Sequence, residues 1–260
     1  MQASANAVLV VRDLSAVFPN GNGGLRALDH VSFEIYPQEF VCVLGPSGSG
    51  KSTLLRILAG LLPASEGEAV FHGQRLDGPQ GDIGIVFQNA NLMPWRTVIE
   101  NILLPLEVGD RARSLSREQA YSKAKEMVEL VGLQGFDQSL PRDLSGGMAQ
   151  RVAIARALVH DPEVLLLDEP FGALDALTRE RMGHELLRIW QAHRKTVLMV
   201  THSISEALLL ADRVLVLTSR PGRVCLDLPV DLPRPRDDSI RYSPRFGELA
   251  GQIRDAIGES

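Results

Sequence analysis

The sequence predicts an α/β fold, and its main support is three apolar runs of strand length. They span 40–44, 164–167 and 196–200, and such runs suit parallel strands that are covered on both faces. Each run is followed by residue types that carry chemistry: glycines with a lysine, two carboxylates, and a histidine. Because open α/β sheets bind ligands at the carboxyl ends of their strands, we expect these groups at that edge.

The segment after the first run matches a phosphate-binding loop. Gly45, Gly50, Lys51 and Ser52 fill the fixed positions of G-x-x-x-x-G-K-[ST], and an apolar helical segment follows at 54–58. Glycines let the backbone turn its N–H groups towards phosphate oxygens, and the helix adds the positive end of its dipole. A Gly/Ser-rich loop without a ligand is the alternative, which the flanking strand and helix disfavour. The residues predicted to bind the nucleotide are Gly45, Pro46, Ser47, Gly48, Ser49, Gly50, Lys51, Ser52 and Thr53.

Within this motif, Lys51 is predicted to reach the β- and γ-phosphates, and the Ser52 hydroxyl to ligate Mg²⁺. Two carboxylates at the end of the second run complete the chemistry. Asp168 is expected to hold Mg²⁺, usually through water, and Glu169 to polarise the attacking water as a general base. An acid pair more commonly begins a helix, but beside a phosphate loop the catalytic interpretation is favoured.

A serine and two glycines precede the helix predicted over 148–158. Ser145 can cap that helix, while Gly146 and Gly147 leave bare N–H groups, which is the composition of an anion site. A plain N-cap is the alternative. Because an N-cap needs no second glycine, the anion site is favoured.

Together these motifs resemble those of the nucleotide-binding subunit of an ATP-binding-cassette (ABC) transporter, over about 9–224. The motifs found in the family's order are the phosphate loop, Gln88, Leu144-Ser145-Gly146-Gly147, Asp168-Glu169, Ala173-Leu174-Asp175 and Thr201-His202. The resemblance implies an α/β fold with a P-loop NTPase (RecA-like) core, an antiparallel β lobe and an inserted helical lobe. It divides the ATPase domain, 7–235, into core and β lobe at 7–88 and 161–235, and a helical lobe at about 89–160. A C-terminal helical tail follows at 236–260.

The resemblance also implies roles that the residues alone leave open. Gln88 contacts Mg²⁺ or the attacking water and senses a membrane partner. Without the other motifs, Gln88 would be interpreted as an exposed glutamine at the end of a strand. His202 contacts the γ-phosphate and positions Glu169, although a lone strand-end histidine is usually structural. Phe18, upstream of the phosphate loop, stacks on the adenine of ATP.

Dimerisation follows from the same resemblance. The signature segment 144–147 cannot reach the γ-phosphate held by Lys51 of its own chain, so two copies pack head to tail. Each copy then presents Ser145, Gly146 and Gly147 to the ATP of the other, and Asp175 couples the two sites.

Composition agrees with a soluble, cytoplasmic subunit, and the resemblance implies that it is peripheral, at the cytoplasmic face of the inner membrane. The net charge is −5, and no basic stretch is long enough for a nucleic-acid surface. No apolar run approaches the ~18 residues that span a bilayer, and the first residues lack a signal-peptide pattern. The expected partners are a second, identical ATPase subunit, membrane permease subunits and, indirectly, an extracytoplasmic solute-binding protein. Cys42 and Cys225 lie in apolar strand-like contexts, which predicts two buried thiols.

Three segments resemble the importer branch for nitrate, sulfonates, taurine and bicarbonate-type anions: 92–98, 171–175 and 219–223. The first should expose Leu92, Met93 and Trp95 to the permease. An exporter or lipid-transfer ATPase is the nearer alternative. A non-transport ABC ATPase is disfavoured, because neither coiled-coil heptads nor a second cassette is visible. At the C-terminal end, Phe246, Leu249, Ile253 and Ile257 share one face of a predicted helix. Packing on the core is favoured for this face over recognition of a partner.

Overall fold

The computed structural model describes residues 6–19, 24–108, 115–172 and 174–258. They form two compact units, one drawn from 1–80 and 195–260, the other from 81–194. In chain order the elements are β1 (Leu9–Phe18), β2 (Leu25–Ile35), β3 (Phe40–Leu44), α1 (Lys51–Leu58), β4 (Glu66–Phe71), β5 (Gln74–Arg75), β6 (Ile83–Val86), α2 (Val98–Glu107), α3 (Arg117–Leu130), α4 (Gly146–Leu158), β7 (Val164–Asp168), α5 (Ala176–His193), β8 (Thr196–Val200), α6 (Ile204–Leu210), β9 (Arg213–Leu217), β10 (Val224–Pro229) and α7 (Pro244–Gly258). The lobe boundaries given above remain a prediction.

An antiparallel sheet in the first unit has the order β2-β1-β4-β5. Leu9 of β1 lies opposite Ile35 on one side and Phe71 on the other, and all three side chains are buried. The pairing of β1 with β2 shifts register at several points, as expected for a strongly twisted ribbon. This sheet confirms the predicted antiparallel β lobe.

The first unit also contains a mainly parallel group of strands. β3 lies between β8 and β9 and is parallel to both, while β10 is antiparallel to β9 at the edge. Every residue of β3 and β8 is buried, which explains their uninterrupted apolar sequence. α6 packs on β3, and α7 packs on α6, β9 and β10. In α7, Phe246, Leu249 and Ile253 are buried and Ile257 is half-buried, so the predicted packing of the C-terminal helix is confirmed.

Where the structure describes it, the second unit combines one parallel strand pair with four α-helices. β6 and β7 pair so that Val86 lies opposite Leu167. α2, α3 and α4 pack on one another. Ser116 begins α3 with a capping box to Gln119, and Thr97 begins α2 with a capping box to Glu100.

One burial prediction was wrong. Cys42, in the middle of β3, is buried, and burial raises the pKa of its thiol. Cys225 is exposed, because β10 is an edge strand whose residues alternate between partly buried and exposed. Among the residues that the structure describes, no helix is both long enough and apolar enough to cross a membrane.

Candidate nucleotide-binding site

The phosphate loop joins β3 to α1 and depends on its glycines. Gly45, Gly48 and Gly50 have φ angles of 156°, 80° and 88°, in the region where side chains are strained. A Cβ added to Gly45 would lie 2.8 Å from the carbonyl oxygen of Leu217, and one on Gly50 would lie 2.6 Å from Cδ2 of Leu28. Both conformation and close packing therefore require glycine at these two positions.

The ammonium group of Lys51 lies inside this loop. It donates to the carbonyl oxygens of Gly45 and Pro46, each at 2.8 Å, and to the Ser49 hydroxyl at 3.4 Å. The side chain is only 6% exposed, so a buried cation stands at the start of α1. Ser52 follows in the same first turn. Backbone bends, a helix N-terminus and a cation together make a cradle that fits phosphate groups.

His202 lies on a turn held by a small hydrogen-bonding network. The N–H of Thr201 donates to Val43 of β3 at 3.2 Å, which extends the parallel pairing past the end of β8. The hydroxyl of Thr201 donates to Glu206 Oε2 at 2.6 Å and accepts from the N–H of Ser203 at 3.1 Å. His202 itself is exposed. Sequence analysis missed Glu206, although the S-x-x-E spacing from Ser203 is the signature of a helix start.

Phe18, the predicted adenine platform, ends β1 opposite Leu25 and is half-buried. It belongs to the same unit as the phosphate loop. The glycine-rich segment 20–23 and Ala173 of the Ala173-Leu174-Asp175 motif lie outside the described residues.

The predicted catalytic carboxylates lie at the C-terminal end of β7. Asp168 is the last residue of that strand and is buried, whereas Glu169 is half-buried and has a φ of 43°. A non-glycine residue in this region is uncommon and costs about 1–3 kcal/mol, which is typical of functional sites. Gln88 Nε2 donates to Glu169 Oε2 at 3.5 Å. Gly172 approaches the same carboxylate, since an added Cβ would lie 3.3 Å from Oε2.

Ser145 is the N-cap of α4, and its hydroxyl accepts from the N–H of Met148 at 3.3 Å. Ser145 and Gly146 are exposed, while Gly147 is buried, and a Cβ there would lie 2.9 Å from Cγ2 of Thr178. The capping role is thus present. The contact with the ATP of a second subunit stays a prediction.

Asp175, predicted to couple two sites, caps α5. Its carboxylate accepts from the N–H of Thr178 at 3.0 Å. Hydrogen bonds from the Thr178 side chain and backbone hold the pKa of Asp175 below its usual value of 3.8. The residue is exposed and carries its charge at the positive end of the helix dipole.

The segment that follows Gln88 exposes Trp95, of which 73% is accessible, and half-buries Leu92 and Met93. Asn101, fully buried on α2, holds this segment from within. Its Oδ1 accepts from the N–H of Met93 at 2.7 Å. Its Nδ2 donates to the carbonyl oxygens of Met93, Arg96 and Thr97 at 3.0–3.2 Å.

Two polar side chains of α4 hold the beginning of the same segment. Gln150, which is buried, donates to the carbonyl oxygen of Phe87 at 3.3 Å. Arg156 donates to the carbonyl oxygens of Ala90 at 2.7 Å and Asn91 at 2.9 Å. Burial lowers the pKa of Arg156. Sequence analysis placed both residues in a helix without a role, because a polar residue on an apolar helix face does not reveal its partner.

The oxygen donors predicted for Mg²⁺ are the Ser52 hydroxyl, the Gln88 amide and the Asp168 carboxylate. The described part of the chain contains no group of three or more His, Cys, Asp and Glu residues arranged to hold a metal. A set of hard oxygen donors with one carboxylate fits Mg²⁺, which usually takes few protein ligands and completes its shell with phosphate and water.

Comparison with known proteins agrees with these features. Residues 28–172 match the family model described as ABC transporter. The nitrate import ATP-binding protein NrtD of Synechocystis is 44% identical over 96% of this chain and 94% of its own length. The taurine import ATP-binding protein TauB of Rhizobium johnstonii is 47% identical, with 88% of each chain covered.

Solved structures give the same result. The dimeric structure of MJ0796, a bacterial ABC transporter cassette, superimposes with a TM-score of 0.76 at 34% identity. The match covers 86% of this chain and 100% of that one. The chain belongs to the ABC transporter family and is an ATPase of the ATP-binding-cassette type.

Proposed function

We propose that the chain is the ATP-hydrolysing subunit of an ABC importer for a small solute of the nitrate, sulfonate, taurine or bicarbonate type. The observation that carries this proposal is the similarity along almost the whole chain, at 44–47% identity, to import ATP-binding proteins for nitrate and taurine. An exporter or lipid-transfer ATPase would use the same cassette, and the partner alone would distinguish it.

Hydrolysis in this proposal is mostly positioning and charge stabilisation of the transferred phosphoryl group. Lys51 binds the β- and γ-phosphates, and Phe18 stacks on the adenine. Glu169 accepts the proton of the attacking water, which Gln88 and His202 help to orient. The buried ammonium of Lys51 and the contact between Gln88 and Glu169 support these roles.

Magnesium would be held by Ser52, Gln88 and Asp168. The ion would supply charge neutralisation at the phosphate oxygens. Within the chain, Asp168 is suited to this role because it is a buried carboxylate at a strand end.

In this proposal, two copies of the chain associate head to tail and bind two ATP molecules. Ser145, Gly146 and Gly147 of one copy contact the ATP held by the other, and Asp175 couples the sites. The exposure of Ser145 and Gly146 at the N-terminus of α4 supports this arrangement, as does the dimeric state of the related cassette.

The membrane partner is a permease that contacts the segment around Trp95. A large aromatic side chain, exposed on a backbone that buried Asn101 holds in place, suits an interface anchor. The ATPase would then sit at the cytoplasmic face of the inner membrane, with an extracytoplasmic solute-binding protein as an indirect partner and no nucleic acid.

Affinity purification of the tagged chain from its native membranes in mild detergent tests this proposal. Mass spectrometry should identify a multi-span permease together with a solute-binding protein. The Trp95→Ala variant should lose the permease, while a control variant, Tyr121→Ala, also exposed but on α3, should keep it. Recovery of a multi-span protein without a binding protein would favour the exporter alternative. Recovery of DNA or ribosomal components alone would overturn the transport proposal.

A further inference from the structure

The turn between β9 and β10, residues 218–223, lies directly against the phosphate loop. Arg220 donates from Nε to the carbonyl oxygen of Gly48 at 3.3 Å, and a Cβ added to Gly48 would lie 2.9 Å from Arg220 Nη2. Gly222 makes a second approach, since a Cβ added there would lie 2.0 Å from the carbonyl oxygen of Ser49. Two consecutive carbonyl groups of the phosphate loop therefore face this turn.

Internal hydrogen bonds close the turn. The N–H of Thr218 donates to the carbonyl oxygen of Arg223 at 2.9 Å, and its hydroxyl accepts from the N–H of Arg223 at 3.0 Å. The same hydroxyl donates to the carbonyl oxygen of Pro221 at 2.9 Å. These hydrogen bonds restrict the movement of the turn, so it can hold the phosphate loop in one position.

The turn is also fixed to β2. Gly222 donates to the carbonyl oxygen of Ala27 at 2.9 Å and accepts from the N–H of Asp29 at 3.0 Å. The Arg223 guanidinium forms two hydrogen bonds with the Asp29 carboxylate, which also accepts from Arg26 at 2.6 Å. The Asp29 side chain is 6% exposed, so a paired buried charge anchors the turn.

Because peptide groups are planar, the contacts that fix two carbonyl groups of the phosphate loop also fix the directions of the N–H groups that follow them. In a trans peptide, the N–H of the next residue points away from the carbonyl oxygen. Because the Gly48 carbonyl faces the turn, the Ser49 N–H points back across the loop, where it donates to the Pro46 carbonyl oxygen at 3.2 Å. The Ser49 carbonyl also faces the turn, which directs the Gly50 N–H away from the turn.

We infer that Arg220 is a positioning residue for ATP, which holds the Gly48–Ser49 peptide against the turn. With the Ser49 carbonyl also facing the turn, the loop then directs the Gly50 N–H towards the phosphates. The inference rests on the proposed use of this loop to bind ATP. Arg220 acts through its hydrogen bond to the loop, and its charge is not required. The 219–223 segment thereby gains a role in nucleotide affinity.

Substitutions at Arg220 separate the hydrogen bond from the charge. The amide nitrogen introduced by Arg220→Gln stands as many bonds from Cα as Nε does, so the donor remains and the charge is lost. Arg220→Lys keeps the charge but places a methylene there. Arg220→Ala removes both, and we expect the dissociation constant of this variant for ATP to rise about tenfold, the scale of one lost hydrogen bond. Arg220→Gln should restore most of the affinity, and Arg220→Lys should not.

The measurement is isothermal titration of the purified chain with ATP and Mg²⁺, together with KM and kcat for phosphate release. We expect most of the effect in KM. Gly222→Ala should weaken ATP binding further, and its thermal unfolding without nucleotide checks that it is folded. Arg12→Gln, which alters an exposed arginine paired with Glu68, should match wild type.

Restoration by Arg220→Lys and not by Arg220→Gln would overturn the inference, because charge would then be the active property. Unchanged KM and affinity in Arg220→Ala would overturn it as well. Failure of the wild-type chain itself to bind ATP would instead refute the proposed function.

Discussion

Gln88 and Glu169 are 81 positions apart, yet Gln88 Nε2 donates to Glu169 Oε2 at 3.5 Å. Parallel pairing of β6 with β7 explains this contact, because Val86 and Leu167 lie opposite each other and both strands end there. A neutral amide can donate to a carboxylate and so orient it without placing a formal charge beside it. The left-handed φ of Glu169, 43°, further fixes where that carboxylate points.

Replacing this carboxylate tests the proposed chemistry. Glu169→Gln keeps the shape and removes the base, so ATP should still bind while phosphate release falls by roughly 10²–10⁴-fold, the range for a lost acid–base group. With hydrolysis slowed, the variant should accumulate as an ATP-bound dimer in size-exclusion chromatography. Glu118→Gln, at an exposed site on α3, serves as the matched control and should hydrolyse ATP at the wild-type rate. Wild-type turnover in Glu169→Gln would remove this residue from the mechanism.

Lys51→Ala should act on binding rather than on the chemical step. The ammonium donates to two carbonyl oxygens of the phosphate loop and is the buried cation there. Its removal should raise the dissociation constant for ATP by about 10–100-fold, from the loss of charge-assisted hydrogen bonds. Titration calorimetry measures this constant, with Lys123→Ala on α3 as the control. An unchanged constant would mean that the loop does not bind phosphate through Lys51.

Arg156→Met should destabilise the fold by about 1–3 kcal/mol. Methionine replaces much of the buried stem but cannot donate to the carbonyl oxygens of Ala90 and Asn91, which lose a charge-assisted partner. Urea unfolding measures the change. Arg142→Met, at a side chain 80% exposed, should stay within about 0.5 kcal/mol of wild type. Equal stability of the two variants would show that water replaces Arg156 at no cost.

Local patterns made much of the fold predictable. The strand at 40–44 is a continuous apolar run because it is covered on both faces, and the phosphate loop is recognisable because its backbone requires glycine at Gly45 and Gly50. The start of α3 was predictable because Ser116 and the residue three positions later cap each other within one turn.

Long-range contacts were not predictable from those patterns. Arg220 and Gly48 are 172 positions apart, and no local spacing indicates that they meet. Cys225 has apolar neighbours, yet its exposure depends on β10 being at the sheet edge. Asn101 looks like an interruption of an apolar helix, although its four hydrogen bonds fix a neighbouring segment. Each of these properties depends on which elements are neighbours in the fold, and local patterns in a single sequence do not reveal those neighbours.

The Asp29 carboxylate, which anchors the β9–β10 turn, should make the free energy of unfolding depend on pH. Hydrogen bonds from Arg26 and then Arg223 hold the pKa of Asp29 below its usual 3.8. A lowered folded-state pKa gives stabilisation that is fully present above the unfolded-state pKa, near 3.8, and is lost as the pH falls through the folded-state value. Asp29→Asn should therefore lower Tm at pH 7, and its deficit against wild type should shrink towards about pH 3. Asp255→Asn, on the exposed face of α7, should follow wild type at both pH values. A deficit of constant size would show that the Asp29 carboxylate contributes through packing, because an ion pair must weaken once its anion is protonated.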